Sequence, residues 1–292
     1  MLDILIKNGT IIDGTGKKSF QGDIGIENGV ITEIGNIKNA SASKIIDANN
    51  LIVCPGFIDI LNRSDAFGML FENPSQESLL RQGVTTIIGG NCGASLAPII
   101  SLDAINAIQK WADIKNVALN WATMAEFLSE LSKKKFAINY GTLVGHTTLR
   151  RGLLKQDIRQ LQAKEMEQMQ YAISESIRDG ALGLSAGLVY AHTKIATTEE
   201  LIEASKAASK NGGYLSLHIR NEGENIISSI NEAIRISQEA QIPVEIAHFK
   251  IIGKKNWPLL EKVLLMIEMA NRNSPLVTFD VFPYTFSASV LY

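Results

Sequence analysis

Few cysteines, no charge excess and no long apolar run characterise this sequence, and each absence excludes a class of protein. Only two of the 292 residues are cysteine, which argues against a disulfide-stabilised scaffold and suits a reducing compartment. Acidic residues number 30 and basic residues 28, so charge does not favour a nucleic-acid or membrane partner. Charged and turn residues interrupt the N-terminal run MLDILIKNGTIIDGTG, so we expect neither a signal peptide nor a membrane span. A cytoplasmic enzyme is the expectation.

The sequence also lacks a glycine-rich phosphate loop after its first buried strand, which disfavours a doubly wound sheet. Strand-like segments alternate instead with amphipathic helical ones, which favours a TIM-type (β/α) barrel over 54–292. The seven predicted strand segments are 51–60, 84–90, 136–145, 181–187, 214–219, 243–249 and 276–282. Eight strands close such a barrel, so we expect an incomplete barrel, truncated after the seventh strand. The alternative is that another chain covers the gap.

Residues 1–53 predict a small β unit. Asn8-Gly9 and Asn28-Gly29 each lie between runs of alternating apolar residues, a strong hairpin signal. Helices are predicted farther along, one opened by a capping box at 197–200 and one over 155–180 that ends at a glycine.

Three residues that can bind a metal follow predicted barrel strands. Cys92 comes just after the second strand, and His218 and His248 end the fifth and sixth. Functional groups of such barrels lie at the carboxyl ends of the strands. A thiolate and two imidazoles form a reasonable zinc set with a fourth position open. Each residue could instead be a packing residue, but their shared placement favours a metal site.

Other polar residues near strand ends leave more than one interpretation open. His146 contacts substrate or caps a loop, and Lys250 reaches the site mouth or is simply solvated. Asp59 and Asp280 could orient neighbours. His192 is predicted to lie at the surface, and Cys54 in the core.

Several motifs occur together in one order. These are PGFID (55–59), GNCGASLAP (90–98), GALGLSAGLVY (180–190), HIRNEG (218–223), IAHFK (246–250) and DVFPYT (280–285). With them the chain resembles the N-acyl-D-amino-acid deacylases (D-aminoacylases) of the amidohydrolase superfamily over essentially its whole length. The resemblance implies a barrel plus a small β-sandwich built from both chain ends, of which 1–53 would be one half. It also implies cleavage of N-acyl-D-amino acids into a carboxylate and a free D-amino acid.

The same resemblance implies roles for individual residues. Zn²⁺ would be held by Cys92, His218 and His248, the residues already indicated by position. The residues that resemble the substrate-binding set are Tyr190, Lys250, Tyr284, Ser287 and Ser289. Ammonium and hydroxyl groups suit a substrate carboxylate or a developing oxyanion.

Two departures from the family pattern weaken the expectation of activity. Family members usually carry a His-X-His pair after PGFID, where this chain has Leu61, Asn62 and Arg63. Leucine cannot bind a metal and arginine repels one, so we predict one zinc site rather than two. The family's catalytic aspartate belongs to the eighth strand, beyond Tyr292, so no catalytic residue is assigned here. A non-catalytic binding protein or gene fragment is the alternative, and a cyclic-amide hydrolase is disfavoured by GNCG and HIRNEG.

Overall fold

The chain divides into two units, Met1–Phe57 and Ile58–Tyr292. The structure is a computed structural model that describes residues 1–66, 68–105, 119–272 and 276–286. The sequence predicts the change of architecture between residues 53 and 54.

The first unit is a single sheet of five strands. They are β1 (Leu2–Ile11), β2 (Phe20–Glu27), β3 (Val30–Gly35), β4 (Ala42–Asp47) and β5 (Ile52–Val53). Their order is β3-β2-β1-β4, and β5 also pairs with β1. Pairing is antiparallel from β1 to β3 and parallel where β4 and β5 join β1. A sandwich that includes this sheet stays a prediction.

Only one of the two Asn-Gly pairs forms a hairpin. Asn28-Gly29 is the turn between β2 and β3, as predicted, with both residues at positive φ. The hairpin predicted at Asn8-Gly9 is wrong, because β1 runs straight through and its pairing with β2 shifts register there. A side chain at Gly9 would come within 2.6 Å of Val53 Cγ2, so close packing explains this glycine.

The second unit has two sheets, and the strand pairings described for residues from Val84 onward are parallel. The strands are β6 (Phe57–Asp59), β7 (Val84–Gly89), β8 (Asn139–Thr142), β9 (Val144–Gly145), β10 (Gly183–Gly187), β11 (Tyr214–His218), β12 (Val244–Ile246) and β13 (Val277–Phe279). One sheet has the order β6-β7-β8 and the other β13-β12-β11-β10-β9. The α/β class is confirmed. The strands of the described ranges do not close into a barrel, so a closed or truncated barrel stays an expectation.

The segment 51–60, predicted as one buried strand, is divided in the structure. Pro55-Gly56 separates β5, which pairs in the first unit's sheet, from β6. Cys54 precedes this break and is exposed, so its predicted core position is wrong. Proline cannot donate to a strand ladder, which accounts for the interruption.

Eight helices are described. They are α1 (Met69–Glu72), α2 (Glu77–Leu80), α3 (Met124–Ser132), α4 (His146–Leu154), α5 (Ala163–Arg178), α6 (Thr198–Ser209), α7 (Ile226–Ala240) and α8 (Leu260–Ala270), with 3₁₀ turns at Leu102–Ile105 and Lys254–Leu259. The predicted capping box of α6 is confirmed only in its N-cap, since Thr197 Oγ1 accepts from the Glu200 amide at 3.1 Å while the Glu200 carboxylate binds Arg150. α5 begins later than predicted, because Gln162 and Glu165 form a capping box there.

The core of the second unit lies where helices cover the parallel strands. β10 is buried along its whole length, as expected for a parallel strand covered on both faces. Fully buried aliphatic side chains from strands and helices meet there, among them Leu184, Leu215, Val244, Ile173, Leu201, Ile230 and Ile236. None of the helices in the described ranges is both long and apolar enough to cross a membrane.

A buried ion pair links α4 to α6. The Arg150 guanidinium donates to both carboxylate oxygens of Glu200, at 2.5 and 2.6 Å, and also to the carbonyl of His192 at 2.8 Å. His146 Nε2 lies 2.9 Å from Glu200 Oε1 and is fully buried, so its contact is with this network. His192 is 7% exposed, so its predicted surface position is wrong. The loop after β10 is therefore held by charge as well as packing.

Replacing Glu200 by alanine should strongly destabilise the protein. The change would leave the Arg150 charge buried without its carboxylate, a situation that typically costs about 3–5 kcal/mol. Chemical denaturation measures the loss in free energy of unfolding. Glu199→Ala is the control in the same helix, because its 3.0 Å pair with Arg235 is exposed and should contribute about 0–1 kcal/mol. Equal losses in free energy of unfolding for the two variants would show that the buried pair contributes no more to stability than the exposed one.

Candidate metal centre

Parallel pairing of three strands brings the two candidate histidines together. In β10 and β11, Gly187 lies beside His218, and in β11 and β12, Leu217 lies beside Ile246. The carboxyl ends of β11 and β12 therefore lie at one edge of the sheet. His218 is the last residue of β11, and His248 follows β12 by two residues. Cys92 reaches this edge from the turn after β7.

The three side chains form one cluster. Cys92 Sγ lies 3.6 Å from His248 Nε2, and the two imidazole rings cross almost at right angles with centroids 4.2 Å apart. One potential ligand atom from each residue lies within 4.8 Å of the others. Cys92 is 2% exposed and each imidazole 12%. The sequence-based grouping of these three residues therefore corresponds to real proximity.

Both Cys92 and His248 adopt left-handed backbone conformations, with φ of 53° and 41°. Such conformations cost a non-glycine residue about 1–3 kcal/mol and persist only where surrounding contacts fix them. Ser185 on β10 supplies one such contact, because its hydroxyl donates to the Gly90 carbonyl and accepts from the Gly93 amide at 3.0 Å. Asp280 supplies another, accepting from the His248 amide at 2.9 Å. The structure thus fixes both turns that carry ligand candidates.

Nearby charges favour the thiolate form of Cys92. Burial alone would raise the pKa of this thiol, but the Arg63 charge and the contacts with His218 and His248 lower it to about 5. Burial would also lower the pKa of His248, yet contacts with Cys92 and Glu222 raise it to about 9. An anionic sulfur beside imidazole nitrogens is the ligand chemistry that zinc prefers.

Glu222 is the residue of this cluster that sequence analysis missed. Its Oε1 lies 3.1 Å from His248 Nδ1, 3.5 Å from His218 Nε2 and 2.5 Å from Lys250 Nζ. Burial would raise the pKa of Glu222, but its contacts with His248, His218 and Lys250 lower it. The signal was present in HIRNEG, where an acidic residue follows His218 by four positions in the turn after β11.

Positions 61 and 63, at the outlet of β6, carry leucine and arginine and offer no imidazole. Asp59 accepts from the amide of Leu61 at 3.2 Å and from the side-chain amide of Asn62 at 2.8 Å, so it orients its neighbours. Arg63 extends its charge toward Cys92 and forms a hydrogen bond with Tyr190. A guanidinium therefore lies near the sulfur, on the side where a histidine would otherwise be expected.

Of the predicted substrate-binding residues, two lie beside the cluster. The Tyr190 ring meets the His218 ring edge-on with centroids 5.6 Å apart, and Lys250 Nζ is 2.9 Å from His248 Nδ1. Tyr284 is 68% exposed, and the ring contacts recorded for it within the described ranges are with Phe282 and Phe286. Ser287 and Ser289 lie outside the described residues.

The donor set fits a zinc ion. His218 Nδ1 is buried and has no hydrogen-bond partner among the residues that the structure describes. An imidazole nitrogen left in that state beside a thiolate is a costly arrangement unless a ligand fills it. With Cys92 Sγ and His248 Nε2 it would supply three protein ligands and leave a fourth position open.

Comparison with known proteins agrees with the motifs. The chain is 32% identical to D-aminoacylase from Alcaligenes xylosoxydans xylosoxydans over 289 residues, 99% of this chain and 59% of that protein. A crystal structure of D-aminoacylase, described as defining a subset of amidohydrolases, superposes with a TM-score of 0.90 at 32% identity. It is matched over 97% of this chain and 59% of the other. This chain is a homologue of the N-acyl-D-amino-acid deacylases. No protein-family model matches it.

Two further structures concern metals in these homologues. N-acyl-D-glutamate deacylase from Bordetella bronchiseptica was solved with zinc and a phosphonate that mimics the tetrahedral intermediate. It matches with a TM-score of 0.88 and 30% identity, over 97% of this chain and 59% of that one. A D-aminoacylase structure with a TM-score of 0.89 and 32% identity, over the same shares, addresses a binuclear centre with one-metal activation and second-metal attenuation. This chain thus spans about three fifths of the length of the deacylases that it matches.

Replacement of Cys92 by alanine should abolish tight zinc binding. The change removes the anionic ligand, so we expect about one zinc per chain in the parent protein and close to none in the variant after dialysis. Elemental analysis measures the ratio. Cys54→Ala is the control, because Cys54 is exposed in the other unit and should leave zinc content unchanged. Zinc-free, well-folded parent protein would overturn the site.

Proposed function

We propose that this chain is a zinc-dependent amidohydrolase that cleaves N-acyl-D-amino acids into a carboxylate and a free D-amino acid. The observation that carries the proposal is the cluster of Cys92, His218 and His248 in a homologue of the N-acyl-D-amino-acid deacylases. Relatives named for acyl-D-glutamate and acyl-D-aspartate, at 31% and 32% identity, support the same substrate class.

Some residues of the site would bind the metal and others would bind the substrate. Cys92, His218 and His248 would hold zinc, which when bound supplies Lewis-acid activation of water and of the amide carbonyl. Tyr190 is 3% exposed against His218 and would orient the scissile amide. The Lys250 ammonium would bind the substrate's negative charge while it also donates to Glu222.

A general base for this reaction is not assigned within the chain. The resemblance places the family's aspartate on an eighth strand, which would lie between β13 and β6. A cavity of about 320 Å³ opens at these strand ends beside His248, lined also by Asp59, Ile60, Asp280 and Val281. Ile58 and Val281 are 61% and 64% exposed there. We infer that these apolar side chains would be covered by the strand that carries the base.

A catalytically inactive binding protein is the second candidate function. Leu61 and Arg63 favour it, because they replace the histidine pair expected after PGFID. The intact thiolate–imidazole cluster, with Lys250 and Tyr190 beside it, favours the enzyme.

Binding of a phosphonate analogue of an N-acetyl-D-amino acid tests the proposal without depending on the base. Zinc-loaded protein should bind the D form more tightly than the L form, because zinc, Lys250 and Tyr190 would together fix three points of the ligand. Isothermal titration calorimetry measures both affinities, and Cys92→Ala should lose binding. Equal, zinc-independent binding of both forms would contradict the proposal.

The residues that follow β6 predict how many zinc ions the chain binds. Leu61 offers no ligand atom and Arg63 is cationic, so the parent protein should take up about one zinc per chain even in excess metal. The double variant Leu61→His/Arg63→His should bind a second, weaker equivalent in equilibrium dialysis. Leu61→Gln/Arg63→Gln is the matched control, since it removes the same side chains without adding imidazoles. Two equivalents in the parent protein would refute the single-site proposal.

A further inference from the structure

Glu222 contacts both histidines of the cluster through a single oxygen. Its side chain is 9% exposed, and Oε1 lies 3.1 Å from His248 Nδ1 and 3.5 Å from His218 Nε2. Burying a carboxylate is costly unless it is paired and hydrogen-bonded. The position of Glu222 therefore calls for a reason beyond packing.

In each imidazole, Glu222 faces the nitrogen that is turned away from the proposed metal position. His248 Nε2 is 3.6 Å from Cys92 Sγ, and Glu222 meets the opposite nitrogen, Nδ1. In His218 the buried nitrogen without a partner among the described residues is Nδ1, and Glu222 meets Nε2. A neutral imidazole has one N–H donor and one acceptor nitrogen. A carboxylate on the outer nitrogens therefore holds the protons there and leaves both inner lone pairs free.

We propose that Glu222 is a positioning residue for the metal centre, accepting a hydrogen bond from the outer N–H of His248 and holding the outer N–H of His218 by charge at 3.5 Å. The inference rests on the proposed zinc site and deepens it. Metal-binding histidines commonly donate their second N–H to a carboxylate or carbonyl, which fixes the ring orientation and increases ligand basicity. Here one carboxylate serves two rings, so the angle between the imidazoles depends on it.

Lys250 completes this arrangement. Its ammonium lies 2.5 Å from Glu222 Oε1 and 3.1 Å from the His248 carbonyl, and also 2.9 Å from His248 Nδ1. When His248 binds metal through Nε2, its Nδ1 carries a proton and cannot accept from Lys250. Lys250 and His248 then both donate to Glu222. The lysine thereby compensates the buried negative charge.

The backbone of Glu222 is fixed from two directions. In the turn after β11, the Asn221 side chain accepts from the amides of Gly223 and Asn225 at 2.9 and 3.1 Å. The Glu222 carbonyl accepts from the Ile252 amide, in the segment after β12, at 2.7 Å. The carboxylate is thus placed by the loops that follow both histidine-bearing strands.

Glu222→Gln tests this role because it keeps the shape of the side chain and removes its charge. Affinity for Co²⁺ and Zn²⁺ is measured by competition with a chromophoric chelator, and the Co²⁺ absorption bands are recorded at saturation. We expect affinity to fall by about 10- to 100-fold and the Co²⁺ bands to shift. Glu222→Asp, which keeps the carboxylate, should recover part of the loss.

Glu232→Gln is the matched control. Glu232 pairs with Arg220, at the other side of the same segment, and its closest pair distance is 2.9 Å. This variant disturbs the segment without touching either imidazole, so affinity and the Co²⁺ bands should stay unchanged. Equal losses in Glu222→Gln and Glu232→Gln, or unchanged affinity and bands in Glu222→Gln, would overturn the proposal. If Glu222→Gln does not fold, Glu222→Asp decides: parent-like affinity and unshifted bands would refute the role, whereas weaker affinity with shifted bands would support it. Parent protein that binds no metal would instead refute the zinc site itself.

Discussion

The parallel pairing of β11 with β12 is the constraint on which the candidate site depends. That pairing sets Leu217 beside Ile246, so the chain leaves both strands at one edge and the two imidazoles come to 4.2 Å between centroids. Neither histidine could be placed there by local sequence preference, since His248 needs a left-handed backbone that Asp280 holds from the next strand. A shift by one residue would turn His218 to the other face of the sheet.

Hydrogen bonds hold the turn that carries Cys92 at the same edge of the sheet. Ser185 bonds to the backbone on both sides of the cysteine, and β10, to which it belongs, pairs directly with β11. The positions of the thiolate and the imidazoles are therefore set by β10, β11 and β12, which are neighbouring strands of one sheet. A site built this way loses its geometry only when the strands separate, which explains how two residues in strained conformations persist.

Sequence patterns predicted the parts of this arrangement that follow local rules. Strand segments, the Thr197 cap and the grouping of Cys92 with two histidines all came from periodicity, capping chemistry and position at strand ends. Patterns failed where distant residues decide the outcome. At Asn8-Gly9 the strand continues through a register shift with Val53 packed against Gly9, and the buried His192 has its carbonyl bound by Arg150. Glu222 was missed because its role depends on two strands being adjacent, a relation that spacing within one segment does not reveal.

Charge balance around the cluster connects the site to its proposed substrate. Cys92 and Glu222 are anionic, and Arg63 and Lys250 are cationic, so these four charges cancel once His248 has given up its extra proton to bind a metal. One divalent ion would make the site positive in a largely buried setting, where opposite charges attract strongly. An N-acyl amino acid carries a carboxylate and no ammonium, so it is the ionic form that such a site would favour over a free amino acid. The same excess of positive charge would oppose entry of a second metal beside Arg63.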